Sequence, residues 1–320
     1  MNEAQRLDSP QLEPVVGSSP DARRQRRAIK KLSRLDENFL IIGETGVGKE
    51  FTARHVHNSS GRSGKAFVKI NCRSLGDSID FKTLFGEESE GDQAVTRSLG
   101  LIEKANSGIL YLDHIGDMGT EYQEAFLRLL QDGEFRKVGG KESIPVDLRI
   151  ASTNEYDLLP MIDKGQFRRD LYNLLAELAM YIPPLREKKQ DIPEIFNHYL
   201  NRYAPDTGEE PAVESEIFES ILEYKWKGNV RELVNAVNNL VTLSPEGTLS
   251  AEFLPFRIKK HPYDFMDPTQ MKKIVGDVEV FLIRKALGKF GGNQVKAAKL
   301  LGIPEATLRF KMKKYAIPKD

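Results

Sequence analysis

Between residues 38 and 183, short apolar runs alternate with stretches whose apolar residues recur every three or four positions. The runs NFLII, AFVKI, GILYL, DLRIAST and LAMYIP are mostly apolar on consecutive positions, the pattern of strands buried on both faces. Strands alternating with helical segments predict a mainly parallel sheet covered on both sides, an α/β core over residues 15–205. Past that point only helical spacing remains, as in ESEIFESILEYKW and NVRELVNAVNNLV, which predicts a small helical subdomain over 206–258. The stretch PFRIKKHPYDFMDPTQ carries three prolines and no period, so 259–270 reads as a linker. A final unit, 271–320, repeats apolar residues at helical spacing in three segments, near 277–288, 293–301 and 304–315. Residues 1–14, rich in Pro and acidic side chains, read as a flexible start.

Composition changes this picture little, and charge changes it more. The chain is 40% apolar and 29% charged, and no apolar run is long enough to span a bilayer. Its start has neither a basic region nor an apolar stretch of the secretory kind. A single cysteine, Cys72, excludes an internal disulfide and suits a reducing cytoplasm. The formal net charge of zero hides an asymmetry: residues 270–320 hold twelve Lys/Arg against four Asp/Glu, or +8, so the remainder carries −8. A basic end on an acidic body suggests a nucleic-acid-binding module.

Chemistry enters with FLIIGETGVGKE. Gly43, Gly46, Gly48 and Lys49 follow a strand and precede the helical FTARHVH, the G-x-x-x-x-G-K arrangement of a phosphate loop. Glycines let backbone N–H groups approach phosphate oxygens, a helix N-terminus favours their charge, and Lys49 can reach the outer phosphates. Glu50 stands where a Ser or Thr usually follows the lysine. Asp113, at the end of the strand GILYLD, is the natural carboxylate for Mg2+ beside ATP or ADP.

GETGVGKE, INCRSL, LFGEE, GILYLDHIGDM, LLQDGEFRKVGG, DLRIASTN, FRRDLYNLL, IPPLREKKQDI and WKGNVRELVNAV occur in this order. Together they resemble the AAA+ domain of bacterial sigma-54-dependent activators, over residues 15 to about 258. The resemblance implies an AAA+ P-loop core with a helical lid. It also implies ATP-driven rings, hexamer-like, that bind upstream DNA and remodel RNA polymerase. By that resemblance Gly43, Glu44, Thr45, Gly46, Val47, Gly48, Lys49 and Glu50 form the nucleotide loop, whose family ending is also GKE. Asp113 takes the Walker B position, Asn71 the asparagine that holds the catalytic glutamate in reserve, and Thr153 and Asn154 sensor I. Arg231 takes the sensor II position near the γ-phosphate. The segment VEVFLIRKALGKFGGNQVKAAKLLGIPEATLRFKMKKYAI resembles the Fis-type helix-turn-helix that ends these activators. Here Asn293 reads as an N-cap, Gly302 as the turn and Pro304 as the first residue of the third helix. Leu300, Leu301, Ile303, Leu308 and Met312 read as its core. That third helix is expected in the major groove of double-stranded DNA, with Thr307, Arg309, Lys311, Lys313 and Lys314 facing phosphates or bases. The Arg frequent after the turn is Glu305 here.

Three departures from the family pattern point one way. Its Walker B glutamate, which polarises the attacking water, is His114. The second of two intersubunit arginines is Leu174, while Arg168 matches the first. Where the family carries GAFTGA, its grip on sigma-54, this chain has EESEGDQAVTRS, with four acids and no aromatic residue. The start of the chain, almost at this domain, leads us to expect no receiver or sensory domain before it. The leading expectation is a cytoplasmic, nucleotide-gated DNA-binding regulator with weak or absent hydrolysis, unable to remodel the sigma-54 holoenzyme alone. The alternative is an active ATPase with His114 as base and Arg168 or Arg169 acting in trans, alone or in a mixed ring with an intact paralogue. Other residues are read as structural: His55 and His57 as helix surface or edge, Cys72 as a buried small residue, Trp226 as an anchor of the lid, and RRQRR (23–27) as a solvated helix face.

Overall fold

A computed structural model describes residues 13–90, 95–204, 211–244, 248–258 and 271–317. Five parallel strands build the central sheet: β1 (Phe39–Ile42), β2 (Phe67–Asn71), β3 (Ile109–Asp113), β4 (Arg149–Asn154) and β5 (Leu178–Tyr181), in the order β2-β3-β4-β1-β5. All five are the runs read as strands from the sequence. Alternate residues of each strand serve opposite faces. Leu40, Ile70, Leu110, Leu112 and Ile150 pack under a cluster that includes Phe126, Leu129, Leu171 and Leu175. Phe39, Ile41, Ile109, Tyr111 and Ala151 pack against Ile29, Leu32, Ala53 and Val56 on the other face. Apolar residues on both faces explain why the strands read as continuous runs rather than alternating ones.

Register decides where chemistry can gather. Asn71 lies opposite Asp113, and Ile42 opposite Asn154, so the chain leaves β1, β2, β3 and β4 along one edge of the sheet. Because the sheet is parallel, that edge collects every strand-to-helix loop, the place where open α/β sheets bind ligands. Helix α1 (Pro20–Leu32) starts at Ser19, whose side chain accepts from Ala22 N–H, and has proline in its first turn. Helix α2 (Lys49–Asn58) starts directly from Gly48, which is left-handed at φ 101°.

A second apolar cluster belongs to the helical layer. Helices α3 (Asp191–Tyr203), α4 (Ser215–Glu223) and α5 (Asn229–Leu243) meet around Trp226, Ile192, Phe196, Ile217, Leu233 and Val237. Helix α3, grouped with the α/β core by sequence, therefore packs in this layer, because its apolar face meets α5. Trp226 is fully buried, and its indole N–H donates to the Ile221 carbonyl at 2.7 Å. A two-residue parallel pairing, Ala212–Val213 with Thr248–Leu249, is too short to have left a strand signal.

The start is better anchored than its composition suggests. Residues 1–12 lie outside the described residues, but Glu13 pairs with Arg202 and its carbonyl meets His55 Nε2 at 2.7 Å. Ser19 N–H and Oγ both donate to Asp191, and Arg26 donates to the Val15 and Gly17 carbonyls. The RRQRR segment is thus only partly solvated: Gln25 is buried and donates to Thr52 Oγ1 at 2.8 Å. His57 is buried as well, between Phe67 and the Lys65 carbonyl, rather than on the surface. Cys72 is buried as expected.

The described residues 271–317 belong to a separate compact unit. Its helices are α6 (Met271–Lys289), α7 (Gln294–Leu301) and α8 (Glu305–Lys314), around Ile283, Leu287, Ala297, Ala298, Leu308 and Met312. Asn293 caps α7 by accepting from Lys296 N–H, and Gly302 closes it in the left-handed region. Two expectations are corrected. Leu300 is 52% exposed, because Ala297, Ala298 and Leu301 already fill the inward stripe of that short helix. Pro304 is the residue before α8, in extended geometry, not its first helical residue. The linker, 259–270, lies outside the described residues. No helix among the described residues is long and apolar enough to cross a membrane.

Candidate nucleotide-binding cleft and DNA-reading helix

A cavity of about 660 Å³ opens between the strand ends, the N-terminal segment and the helical layer. One wall is the loop Thr45–Glu50, the facing wall is helix α5 with Arg231, and the floor holds Asn71, Asp113 and His114. Val15, Val16, Ile195, Tyr199 and Val230 supply an apolar side that the sequence reading did not identify. Residues of the N-terminal segment and of helices α3 and α5, far apart in the chain, make this wall, so no local signal points to it.

Lys49 is nearly buried, and its Nζ donates to the Gly43 and Glu44 carbonyls at 2.6 and 3.2 Å. Burial pushes its ammonium below the usual lysine value, with Asp113 and Glu155 pulling it back. An anion entering the loop would restore what burial costs the charge. Gly46 sits at φ 81°, where a Cβ would lie 2.1 Å from the Gly228 carbonyl oxygen, so only glycine fits. Val47 is buried in the core and Glu50 pairs with Arg54 and Lys69.

The loop is fastened to the helical layer. Arg231 N–H donates to the Gly46 carbonyl at 3.2 Å, and Asn229 Nδ2 to the Thr45 carbonyl at 2.9 Å. Arg186 grips both oxygens of Glu44 at 2.5 and 2.7 Å, which holds that carboxyl below the usual glutamate range. Asn229 adopts φ 54°, a strained conformation for a residue other than glycine. Its side chain repays this by bonding the loop and the Leu185 N–H together. Asn229 and Arg186 were missed by sequence reasoning, although both lie inside quoted motifs.

On the floor, Thr153 Oγ1 donates to Asp113 Oδ1 at 2.6 Å, aiming the carboxylate at the loop side. His114 follows at φ 58°, ψ 51°. Its Nε2 is 3.9 Å from Asp113 and its Nδ1 is 3.7 Å from Glu155. Glu155 is itself taken by Thr45 Oγ1 at 2.6 Å and approached by Arg73 at 3.8 Å. Asn71 Oδ1 accepts from Arg73 N–H at 3.1 Å. The Asn154 side chain accepts from Gly116 N–H and donates to the Tyr156 carbonyl, while its own carbonyl accepts from Gly43 N–H. Gly43, Glu44 and Asn154 thus brace the cleft from behind, and Arg168 stands apart. Arg168 is exposed and pairs with Asp170 of its own chain at 2.8 Å. Leu174, where an arginine was looked for, packs against the core. Among the described residues no group of three or more His, Cys, Asp and Glu gathers to bind a metal unaided.

Where the resemblance leads one to look for GAFTGA, Glu88–Glu90 pairs antiparallel with Val95–Arg97. Arg97 pairs with Glu88 and Lys82 with Glu87, so two of the four acids are neutralised there.

On α8, the five residues expected to face DNA separate. Arg309 and Lys313 are exposed, with Arg309 paired to Glu305 one turn back. Thr307 is half-buried beside Leu308. Lys314 donates to Tyr315 Oη at 3.0 Å, and Lys311 turns back to Glu279 of α6 at 2.5 Å. Lys311 thus has an ion-pair partner within the unit, as Arg309 does.

Residues 15–181 match the Sigma-54 interaction domain, 186–269 the AAA+ ATPase lid domain, and 274–315 the Bacterial regulatory protein, Fis family. Over 95% of its length the chain is 37% identical to a signal-transduction and transcriptional-control protein of Clostridium beijerinckii, of which it covers 48%. It is 36% identical, over 93% of its length, to the transcriptional regulatory protein ZraR of Escherichia coli K12, of which it covers 68%. Among solved structures, NtrX from Brucella abortus in complex with ATP superposes with a TM-score of 0.68 at 29% identity, covering 95% of this chain and 70% of that one. The chain thus spans about half to two-thirds of the length of such relatives.

Proposed function

The chain belongs to the bacterial sigma-54-dependent activators, transcription regulators with a DNA-binding helix-turn-helix, and from that premise we propose a nucleotide-gated member with weak or absent ATP hydrolysis. In this reading ATP or ADP occupies the cleft, with its phosphates on the loop of residues 43–50 and Arg231 across from them. The ATP complex of NtrX supports a nucleotide here. Asp113, held by Thr153, fits the one carboxylate that Mg2+ needs when phosphates and water complete its shell. Such an ion would neutralise charge between the outer phosphates. Nucleotide would bias self-association into a ring, and so occupancy of double-stranded DNA by the C-terminal unit.

The observation that carries weak hydrolysis is the occupancy of the water-side corner. His114 stands beside Asp113 in a left-handed turn, and the carboxylate within reach, Glu155, is already bonded to Thr45. A positioned general base contributes about 10²–10⁴ in rate, and no side chain of this corner is placed as a free carboxylate. The antiparallel pair found where GAFTGA was looked for argues against a lone sigma-54 remodeller.

The test is phosphate release by the full chain and its His114→Glu variant. Slow release that rises in the variant supports the proposal. Rapid release from the unmodified protein, abolished by His114→Ala, overturns it. A second reading, an active motor alone or mixed with an intact relative, draws on Arg168, which is exposed as an arginine serving a neighbouring subunit would be. Release that appears only on mixing with such a relative, or with RNA polymerase present, would favour it.

A further inference from the structure

Helix α8 presents an outward stripe whose centre is apolar. Leu308 and Met312 point into the core, and Tyr315 packs against it while donating to Glu279 at 2.8 Å. At 3.6 residues per turn, the opposite face carries Ala306, Phe310, Lys313 and Lys314, with Arg309 on its flank. Phe310 is 67% exposed, at the middle of this stripe, with Arg309 before it and Lys313 one turn on. A phenylalanine left bare on a ten-residue helix forgoes a substantial hydrophobic gain. The cations around it say what would cover it, because basic side chains flanking an exposed helix face match the phosphate rails of a major groove.

We propose that Phe310 is a specificity-determining residue of the DNA reader, recognising the 5-methyl group of thymine in the major groove. Thymine is the base that offers an apolar group there, and contact with it needs an aliphatic or aromatic side chain rather than a hydrogen-bonding one. Arg309 and Lys313 supply phosphate contacts at its sides. This rests on the reading of α8 as the groove-entering helix. It adds Phe310 to the residues that carry sequence information.

The full chain is used to select duplexes from a randomised pool, and the selected duplex is remade with uracil in place of thymine, which removes only the methyl groups. Fluorescence anisotropy should show the unmodified protein binding the uracil duplex about fourfold more weakly for each methyl group lost from contact. In Phe310→Ala the two duplexes should bind alike, Phe310→Leu should keep part of the preference, and thermal unfolding reports whether either variant is folded. Lys313→Gln should weaken both duplexes equally and reduce the salt dependence by about one phosphate contact. Equal binding of thymine and uracil duplexes by the unmodified protein, or a preference that survives Phe310→Ala, overturns the assignment. So does a Phe310→Ala variant whose only change is a lower oligomeric state. If no duplex is selected and no salt-dependent binding is seen, the groove-entering role of α8 itself fails.

Discussion

On the loop side of the cleft, the groups that would meet a phosphate and the loop that carries them are braced: Lys49 by two carbonyls, Gly46 by the backbone of α5, and, behind the loop, Glu44 by Arg186 and Asn229. Across the floor the neighbouring groups are spent on one another. Glu155 is bonded to Thr45, Asn71 to Arg73 N–H, and Asn154 to Gly116 and Tyr156. The first arrangement keeps donors and charge in place for an anion. The second leaves His114 on the cleft lining beside Asp113, without a close hydrogen bond of its own to either neighbouring carboxylate. In the proposed reading binding and cleavage depend on separate sets of contacts, so that each should be open to perturbation while the other is left intact.

The widest separation is expected from His114→Glu, which should raise turnover by about 10² or more while leaving ATP affinity nearly unchanged, as read by phosphate release and calorimetry. Lys49→Ala should do the reverse, lowering ATP affinity by about 10²-fold through loss of a buried charge, whatever residue occupies position 114. Gly46→Ala is a subtler probe, since its methyl group would meet the Gly228 carbonyl. It should weaken nucleotide binding by about tenfold, through forced separation of loop and lid, with calorimetry as the measure. The smallest effect concerns Glu44. Its carboxyl is held low by Arg186, then Asn229, so its contribution is present above the ordinary value of 4.5 and lost as pH falls through the lowered one. Thermal unfolding of the unmodified chain should fall off below that value slightly more steeply than that of Glu44→Gln.

The sheet was legible because both faces of each strand are apolar, so the runs announce themselves without knowledge of their neighbours. The phosphate loop was legible because its glycines and lysine are consecutive. What failed to show depends on partners distant in the chain. No local pattern announces that Lys311 pairs with Glu279, thirty-two residues away. His57 looks like surface until Phe67 and the Lys65 carbonyl close over it. Leu300 has the composition of a core residue, but small alanines had already taken the inward positions of its helix. The apolar side of the cleft and the carboxylate of Glu155 belong to this class too, as does Phe310, whose exposure only the packing of α8 on α6 reveals.

The bond from Arg231 N–H to the Gly46 carbonyl joins lid and loop main chain to main chain. A linkage of that kind has no side-chain partner to exchange: on the lid side any residue with an N–H can make it, while on the loop side it holds only as long as position 46 stays glycine. A clasp made main chain to main chain would let an occupant of the loop be felt in the lid without calling on any group of the floor.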